Sequence, residues 1–258
     1  MTSPAQETSP AHETSPVHGR LALVTGASRG IGAVVARGLA TRGATVACLA
    51  RGGATLEATV AGLVADGLDA VALPCDLADD AALDALGGRL ERMGEVDVLV
   101  HCAALMSDRG AKTLRTTPAE WRRVMTVDLD AAFRLTTTVG PGMAARRRGR
   151  IVHYSACLGR MSGPGNAGGL APYRIAKAGV NAMVRNLSHE LGHGRRGVLV
   201  DAVCPGHCRT DMGGPEAPRS AEQGADTGLW LTERDVIDSV GAQVITGRLW
   251  EDRLVVPW

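Results

Sequence analysis

An apolar run, Leu21-Ala22-Leu23-Val24, leads into Thr25-Gly26-Ala27-Ser28-Arg29-Gly30-Ile31-Gly32 and then into a stretch with helical spacing. Three glycines between a strand and a helix constrain a chain more than any other feature here. They allow a tight turn and let a ligand approach the main chain closely, while the helix aims its unpaired amide N–H groups back at the turn. Glycines alone also make ordinary turns. The strand before and the helix after make Gly26, Gly30 and Gly32, with Ser28, Arg29 and Ile31, a cradle for a pyrophosphate.

The rest of the chain keeps this rhythm. Apolar runs near 20–25, 45–49, 70–74, 96–100, 150–155, 197–203 and 243–246 alternate with helix-like stretches near 30–42, 54–66, 79–93, 118–146 and 171–193. Several runs are almost continuously apolar, as in strands buried on both faces. Right-handed βαβ units follow, and with them an α/β fold: a Rossmann-type doubly wound parallel sheet of about seven strands with helices on both faces. A length of 258 residues, 45% of them hydrophobic, suits one such domain, expected over 20–258. Gly213-Gly214-Pro215 breaks the rhythm, and 211–232 reads as a lid-like loop plus short helix. Residues 1–19 hold a repeated Thr-Ser-Pro motif with no apolar face, and a disordered tail is expected there.

Composition argues against several partner classes. A net charge of +1 suggests neither nucleic acid nor a membrane surface. Arg146-Arg147-Arg148 is short and falls at a predicted helix C-terminus, where the dipole favours cations. No apolar run nears the ~18 residues of a membrane span, and the N-terminus lacks the apolar core of a secretory signal. Cys48, Cys75, Cys102, Cys157, Cys204 and Cys208 lie mostly in or beside strands without zinc-type spacing. They read as small buried hydrophobes of a reduced, cytoplasmic protein, with no metal site expected.

The second strand tests which dinucleotide the turn would take. Forms that bind NAD end this strand on an acidic residue that holds the ribose hydroxyls. Here it ends Val46-Ala47-Cys48-Leu49-Ala50-Arg51. Arg51 and Arg29 bring two guanidiniums toward the adenosine ribose, which suits a 2′-phosphate and therefore NADP(H).

The turn, Asp76-Leu77, Tyr173-x-x-x-Lys177 and Pro205-Gly206-x-x-x-Thr210 occur together in an order and spacing that resemble the short-chain dehydrogenase/reductase family over 20–258. The segments 204–215 and 247–258 resemble its carbonyl-reductase branch. The resemblance implies that Asp76 and Leu77 contact adenine. It implies that Pro205, Gly206, Cys208 and Thr210 hold the nicotinamide end, with Cys102 and Ala103 supporting the cofactor from the fourth strand. Tyr173 would donate a proton to a carbonyl oxygen, and Lys177 would bind the ribose and lower the Tyr173 pKa. The spacing agrees, since i and i+4 share a helix face and a nearby ammonium stabilises a phenolate. A homodimer or homotetramer is implied by the same analogy.

Three departures from the family pattern stand out. The family places a serine on the strand before the Tyr-Lys helix. In His153-Tyr154-Ser155-Ala156-Cys157-Leu158-Gly159, alignment on Gly159 puts Ala156 there, with Ser155 one residue early and on the other strand face. A lost donor of this kind costs roughly 10²–10³ in rate. Either Ser155 or Ser162 substitutes, or the substrate brings its own hydroxyl, or the reduced group is not a simple ketone. The family asparagine that helps hold a relay water is Asp128 here, a carboxylate able to pair with Lys177. The family Asn-Asn-Ala-Gly is His101-Cys102-Ala103-Ala104. His153, His207 and Met212 are further candidates for contact with substrate.

The leading expectation is an NADP(H)-dependent reductase of a C=O or C=N bond in a small organic molecule. An iminium already carries positive charge and depends less on an oxyanion donor. The alternatives are a non-redox enzyme with structural NADP(H), performing cyclisation, dehydration or epimerisation, and a cofactor-binding regulator without chemistry.

Overall fold

The computed structural model describes residues 15–258 except 109, 164–166 and 238–239. In chain order it contains β1 (Leu21–Thr25), α1 (Gly30–Thr41), β2 (Thr45–Ala50), α2 (Ala54–Ala65), β3 (Ala70–Pro74), α3 (Asp80–Asp84), α4 (Leu86–Met93) and β4 (Val96–His101). Then come α5 (Pro118–Met125), α6 (Ala131–Arg146), β5 (Gly149–Tyr154), α7 (Ala171–Glu190), β6 (Val198–Val203), α8 (Ala221–Glu233), β7 (Leu249–Glu251) and β8 (Leu254–Val256). One sheet takes the order β3-β2-β1-β4-β5-β6-β7-β8. All neighbours pair parallel except β8, which closes antiparallel on β7.

Strands β1, β4 and β6 are buried along their whole length, including the carboxylates Asp97 of β4 and Asp201 of β6. Leu23, Leu99, Ile151 and Val200 share a cluster with Leu135 and Val139 of α6 and Val180 and Val184 of α7. Val24, Val100, Val152 and Val203 share the other with Val35 and Leu39 of α1 and Ala225 and Leu229 of α8. Successive strand residues alternate between the two clusters, so both sheet faces are covered. The strand order reverses between β1 and β4, and ligands of open α/β sheets bind at the carboxyl ends of strands flanking such a reversal.

The structure redraws four boundaries. Residues 15–19, read with the tail, form a turn whose Val17 is buried in the α1-side core; residues 1–14 lie outside the described residues. The helical stretch 79–93 divides into α3 and α4. The stretch 118–146 divides into α5 and α6 around a π-helical turn, Thr126–Asp130. The apolar run 243–246 is no strand. Thr246 Oγ1 instead bonds the main chain of Val200 on β6, accepting from its N–H at 2.9 Å and donating to its carbonyl at 3.1 Å. The chain joins the sheet only at Leu249, and β8 makes an eighth strand. Within 211–232, a loop is followed by α8, which packs on α1 and over β5.

Candidate active site

A cleft of about 640 Å³ opens at the carboxyl ends of β1 and β4. One end is made chiefly by backbone. Gly26 has φ +66°, and a Cβ there would stand 3.0 Å from the Ala103 backbone. A Cβ on Gly32 would collide with the Gly26 carbonyl, and Gly30 sits at φ +55°. The first turn of α1 has neither a side-chain cap nor an acidic residue, so its amides remain available to an anion. Gly26, Ser28, Arg29, Gly30, Ile31, Gly32, Arg51, Asp76, Leu77, Cys102, Ala103, Pro205 and Thr210 all line this cleft. A dinucleotide fits such a wall: no side chain blocks the turn, and two arginines lie toward the β2 end. Arg29 meanwhile bonds Asp211 Oδ2 at 2.7 Å across the cleft mouth.

The other end is made by side chains. Tyr173 and Lys177 project from α7 and line the cleft, with the Lys177 ammonium 5.6 Å from the centre of the Tyr173 ring. Lys177 is buried; its Nζ donates to the Tyr154 carbonyl at 3.0 Å and stands 3.6 Å from Asp128 Oδ2. The π-helical turn carries Asp128 inward, where Oδ1 accepts the Leu105 N–H at 2.6 Å. Burial raises the Asp128 carboxyl to about 6, a rise that Lys177 and the Leu105 amide only partly offset. The Tyr173 phenol is likewise pushed up, first by burial and then by the Asp128 charge. The resemblance implies a phenol lowered by Lys177; in the cleft without a bound dinucleotide, burial and then the Asp128 charge act in the opposite direction.

The serine question also takes a definite form. Ser155 lines the cleft, but its hydroxyl donates to the Lys177 main-chain carbonyl at 3.3 Å. Ala156 packs with Tyr173 and Val124. Ser162 is not at the cleft: its hydroxyl donates to the Trp258 carbonyl at 3.0 Å. His153 is buried beneath α6 against Thr136, since its strand face is covered there rather than open to a pocket. His207 turns outward and its Nε2 bonds the Gly213 carbonyl at 2.8 Å, while Met212 does line the cleft. Gly206 and Cys208 stand behind the lining: Gly206 makes the turn at φ +72°, and the Cys208 thiol donates back to the Pro205 carbonyl at 3.2 Å.

Four contributors escaped the sequence reading. The Tyr154 carbonyl and the Leu105 amide are main-chain groups that no side-chain pattern marks. Ser107 Oγ accepts the Tyr173 N–H at 2.9 Å and anchors the first turn of α7. Asp211, next to the quoted Thr210, could have been flagged as a carboxylate in the neighbourhood of Arg29.

Comparison with known proteins agrees with this geometry. The family model described as short chain dehydrogenase matches residues 20–221. A Streptomyces violaceoruber protein named ketoacyl reductase 1 of the granaticin polyketide synthase is 36% identical over 239 residues, covering 91% of this chain and 83% of its own. The 3-oxoacyl-[acyl-carrier-protein] reductase FabG of Escherichia coli K12 is 37% identical over 195 residues, 75% of each chain. Among solved structures, a single-residue variant of the actinorhodin polyketide ketoreductase with NADPH superposes with a TM-score of 0.78 at 30% identity, covering 90% of this chain and 95% of that one. The glycine turn, the Tyr-Lys pair on α7 and these matches agree: the chain belongs to the short chain dehydrogenase family.

Proposed function

We propose that the protein is an NADP(H)-dependent oxidoreductase that reduces a C=O or C=N bond of a small organic substrate, with Tyr173 as the proton donor. One observation carries the reading: Tyr173 and Lys177 open onto the same cleft as the glycine turn, at the sheet's point of strand reversal. When bound, the dinucleotide supplies the hydride. Arg29 and Arg51 suit the 2′-phosphate, and Lys177, fixed by the Tyr154 carbonyl, is placed for the nicotinamide ribose.

Tyr173 is protonated at neutral pH, as a proton donor must be, and burial and the Asp128 charge make it a weaker acid than an ordinary tyrosine. A neighbouring Ala156 leaves Tyr173 without the usual second hydroxyl donor from that position, which fits a substrate needing less oxyanion stabilisation. The ketoacyl and 3-oxoacyl reductases among the relatives support a carbonyl on an acyl or polyketide-like molecule, with an iminium as the second class. The same reading has the protein act in the cytoplasm as a homodimer or homotetramer.

The test is consumption of NADPH against a panel of 3-oxoacyl thioesters, cyclic ketones and cyclic imines. Turnover with one class establishes the reading. Tight NADPH binding with no turnover of any class would sink it, and product formed without net NADPH oxidation would point to the non-redox alternative.

A further inference from the structure

Four buried polar side chains unused by the proposed chemistry lie in a row beneath the cleft. Thr25, His101 and His153 are register partners at the carboxyl ends of β1, β4 and β5. Thr136 of α6 completes the row, and all four are buried. The two imidazoles stand edge to face, 5.6 Å between centres.

The positions of the protons follow from the neighbours. Thr136 Oγ1 donates to the Ala132 carbonyl at 2.7 Å, so its 3.0 Å contact with His153 Nε2 must be an N–H donated by the imidazole. Thr25 Oγ1 accepts the Ala103 N–H at 3.1 Å and lies 2.9 Å from His101 Nδ1; its own proton bonds no other described residue, which assigns it to that nitrogen. Both rings are held neutral. Burial is the main cause; aided by the Lys177 charge it pushes His153 down to about 3, and aided by His153 and then Lys177 it pushes His101 far below its ordinary value. Neutral His101 therefore carries its proton on Nε2, and neutral His153 keeps a lone pair on Nδ1. Each of these two ring nitrogens bonds no described residue. One is a donor and the other an acceptor, so the two nitrogens have complementary polarity. Leaving two such groups open in the interior is costly.

We propose that His101 and His153, joined by one bridging water, form a hydrogen-bond ladder that positions the floor of the dinucleotide cleft. The ladder starts on the Ala103 amide, against which Gly26 packs, and ends in the first turn of α6, beside the π-helical turn that presents Asp128. It thereby fixes β1, the β4 loop and α6 relative to one another. A ladder that begins on a backbone N–H and ends on a backbone carbonyl has one polarity. It cannot pass protons onward, so its role is positioning rather than relay.

Two experiments on the full chain test the proposal, which rests in part on the NADP(H) reading. Long-range nitrogen–proton spectra of the imidazoles should show two neutral Nε2–H tautomers that do not titrate between about pH 5.5 and 8.5, where an ordinary histidine would. Titration of either ring, or an Nδ1–H tautomer, overturns the ladder. NADPH dissociation constants supply the second test. His153→Leu keeps bulk but loses both hydrogen-bonding functions and should weaken binding roughly tenfold, the scale of one buried partner lost. His153→Gln keeps a donor and an acceptor and should stay within about twofold of the parent. Should His153→Leu not fold, Thr136→Val removes the same terminal bond with a smaller change in shape and should also weaken binding. Unchanged NADPH affinity in the disrupted variants, even with a lowered Tm, reduces the histidines to core packing and overturns the positioning role. Failure of the parent protein to bind NADPH would instead overturn the cofactor reading, and the tautomer spectra would still decide the ladder.

Discussion

The two ends of the cleft are built from different materials. At the β1–α1 end, recognition is made mostly by main chain: positive φ values, uncapped amides and places where no Cβ fits. At the α7 end it is made by side chains, and two of them, Asp128 and Ala156, depart from the family pattern. A backbone site tolerates few residues, so it either keeps its glycines or fails. A side-chain site can exchange one polar group for another and rebalance its charges, as the buried Asp128–Lys177 pair does. Cofactor binding and chemistry should therefore separate under mutation.

The sharpest break is Tyr173→Phe. It removes the proposed proton donor while leaving the glycine turn untouched. NADPH-dependent reduction should fall roughly 10²–10⁴-fold, with NADPH affinity close to that of the parent. Steady-state rates paired with a binding titration check both halves together. Retained activity would mean that the chemistry lies elsewhere.

Ala156→Ser probes the second departure. The side chain packs on Tyr173, and a hydroxyl added there restores a donor of the kind whose loss costs roughly 10²–10³ in rate. Ketone reduction should rise by up to that factor, while reduction of an iminium should not. Equal rates in both would show that Ser155, or the substrate itself, already provides the bond.

The same contrast explains what could be read in the sequence. The fold was legible because strands buried on both faces must be largely apolar and helices must alternate with them. The glycine turn was legible because few other roles demand that spacing. The missed end strands are only three residues each, too short for periodicity to mark, and the Gln243-Val244-Ile245-Thr246 run before them turns its threonine onto the β6 main chain instead of extending the sheet. His153 shows the limit most clearly. His153 shares the strand face of Ser155, two residues on, but nothing in one dimension says that α6 covers that face at His153 and leaves Ser155 at the cleft. The raised Tyr173 phenol was hidden for a similar reason, since it depends on the depth of burial and on the Asp128 charge nearby.

Arg51→Gln sharpens the comparison within the cofactor end. Charge-assisted bonds to a phosphate are about twice as strong as neutral ones. Losing one should reduce the preference for NADPH over NADH roughly tenfold, with NADH affinity little changed. Equal losses for both cofactors would place Arg51 away from the 2′-phosphate.

Asp128→Asn tests the electrostatic coupling at the reaction end. The Asp128 charge helps hold the Tyr173 phenol up, so a neutral amide should let it fall. The alkaline limb of the kcat/KM profile for reduction, where Tyr173 loses its proton, should move to lower pH. Stability carries the opposite signature to a surface carboxylate. Because folding raises Asp128 from 3.8 to about 6, the folded state binds the proton more readily, and Asp128 subtracts stability as pH rises through that window. The variant should lack this component of the slope, read from denaturant midpoints on both sides of it. An unmoved alkaline limb would show that Asp128 acts on Lys177 alone.

The smallest effect concerns the ion pair across the cleft mouth. Arg29 and Asp211 are 61% and 73% exposed in their side chains, and exposed pairs contribute at most about 1 kcal/mol. If Arg29 must leave Asp211 to reach a 2′-phosphate, Asp211→Asn removes a competitor. NADPH should then bind up to about fivefold more tightly, NADH should be unaffected, and the gain should shrink as salt screens the pair. Weaker NADPH binding in the variant would reverse the roles. Arg29 and Asp211 would then close together over the bound dinucleotide, and the backbone-built end of the cleft would depend on a side-chain clasp after all.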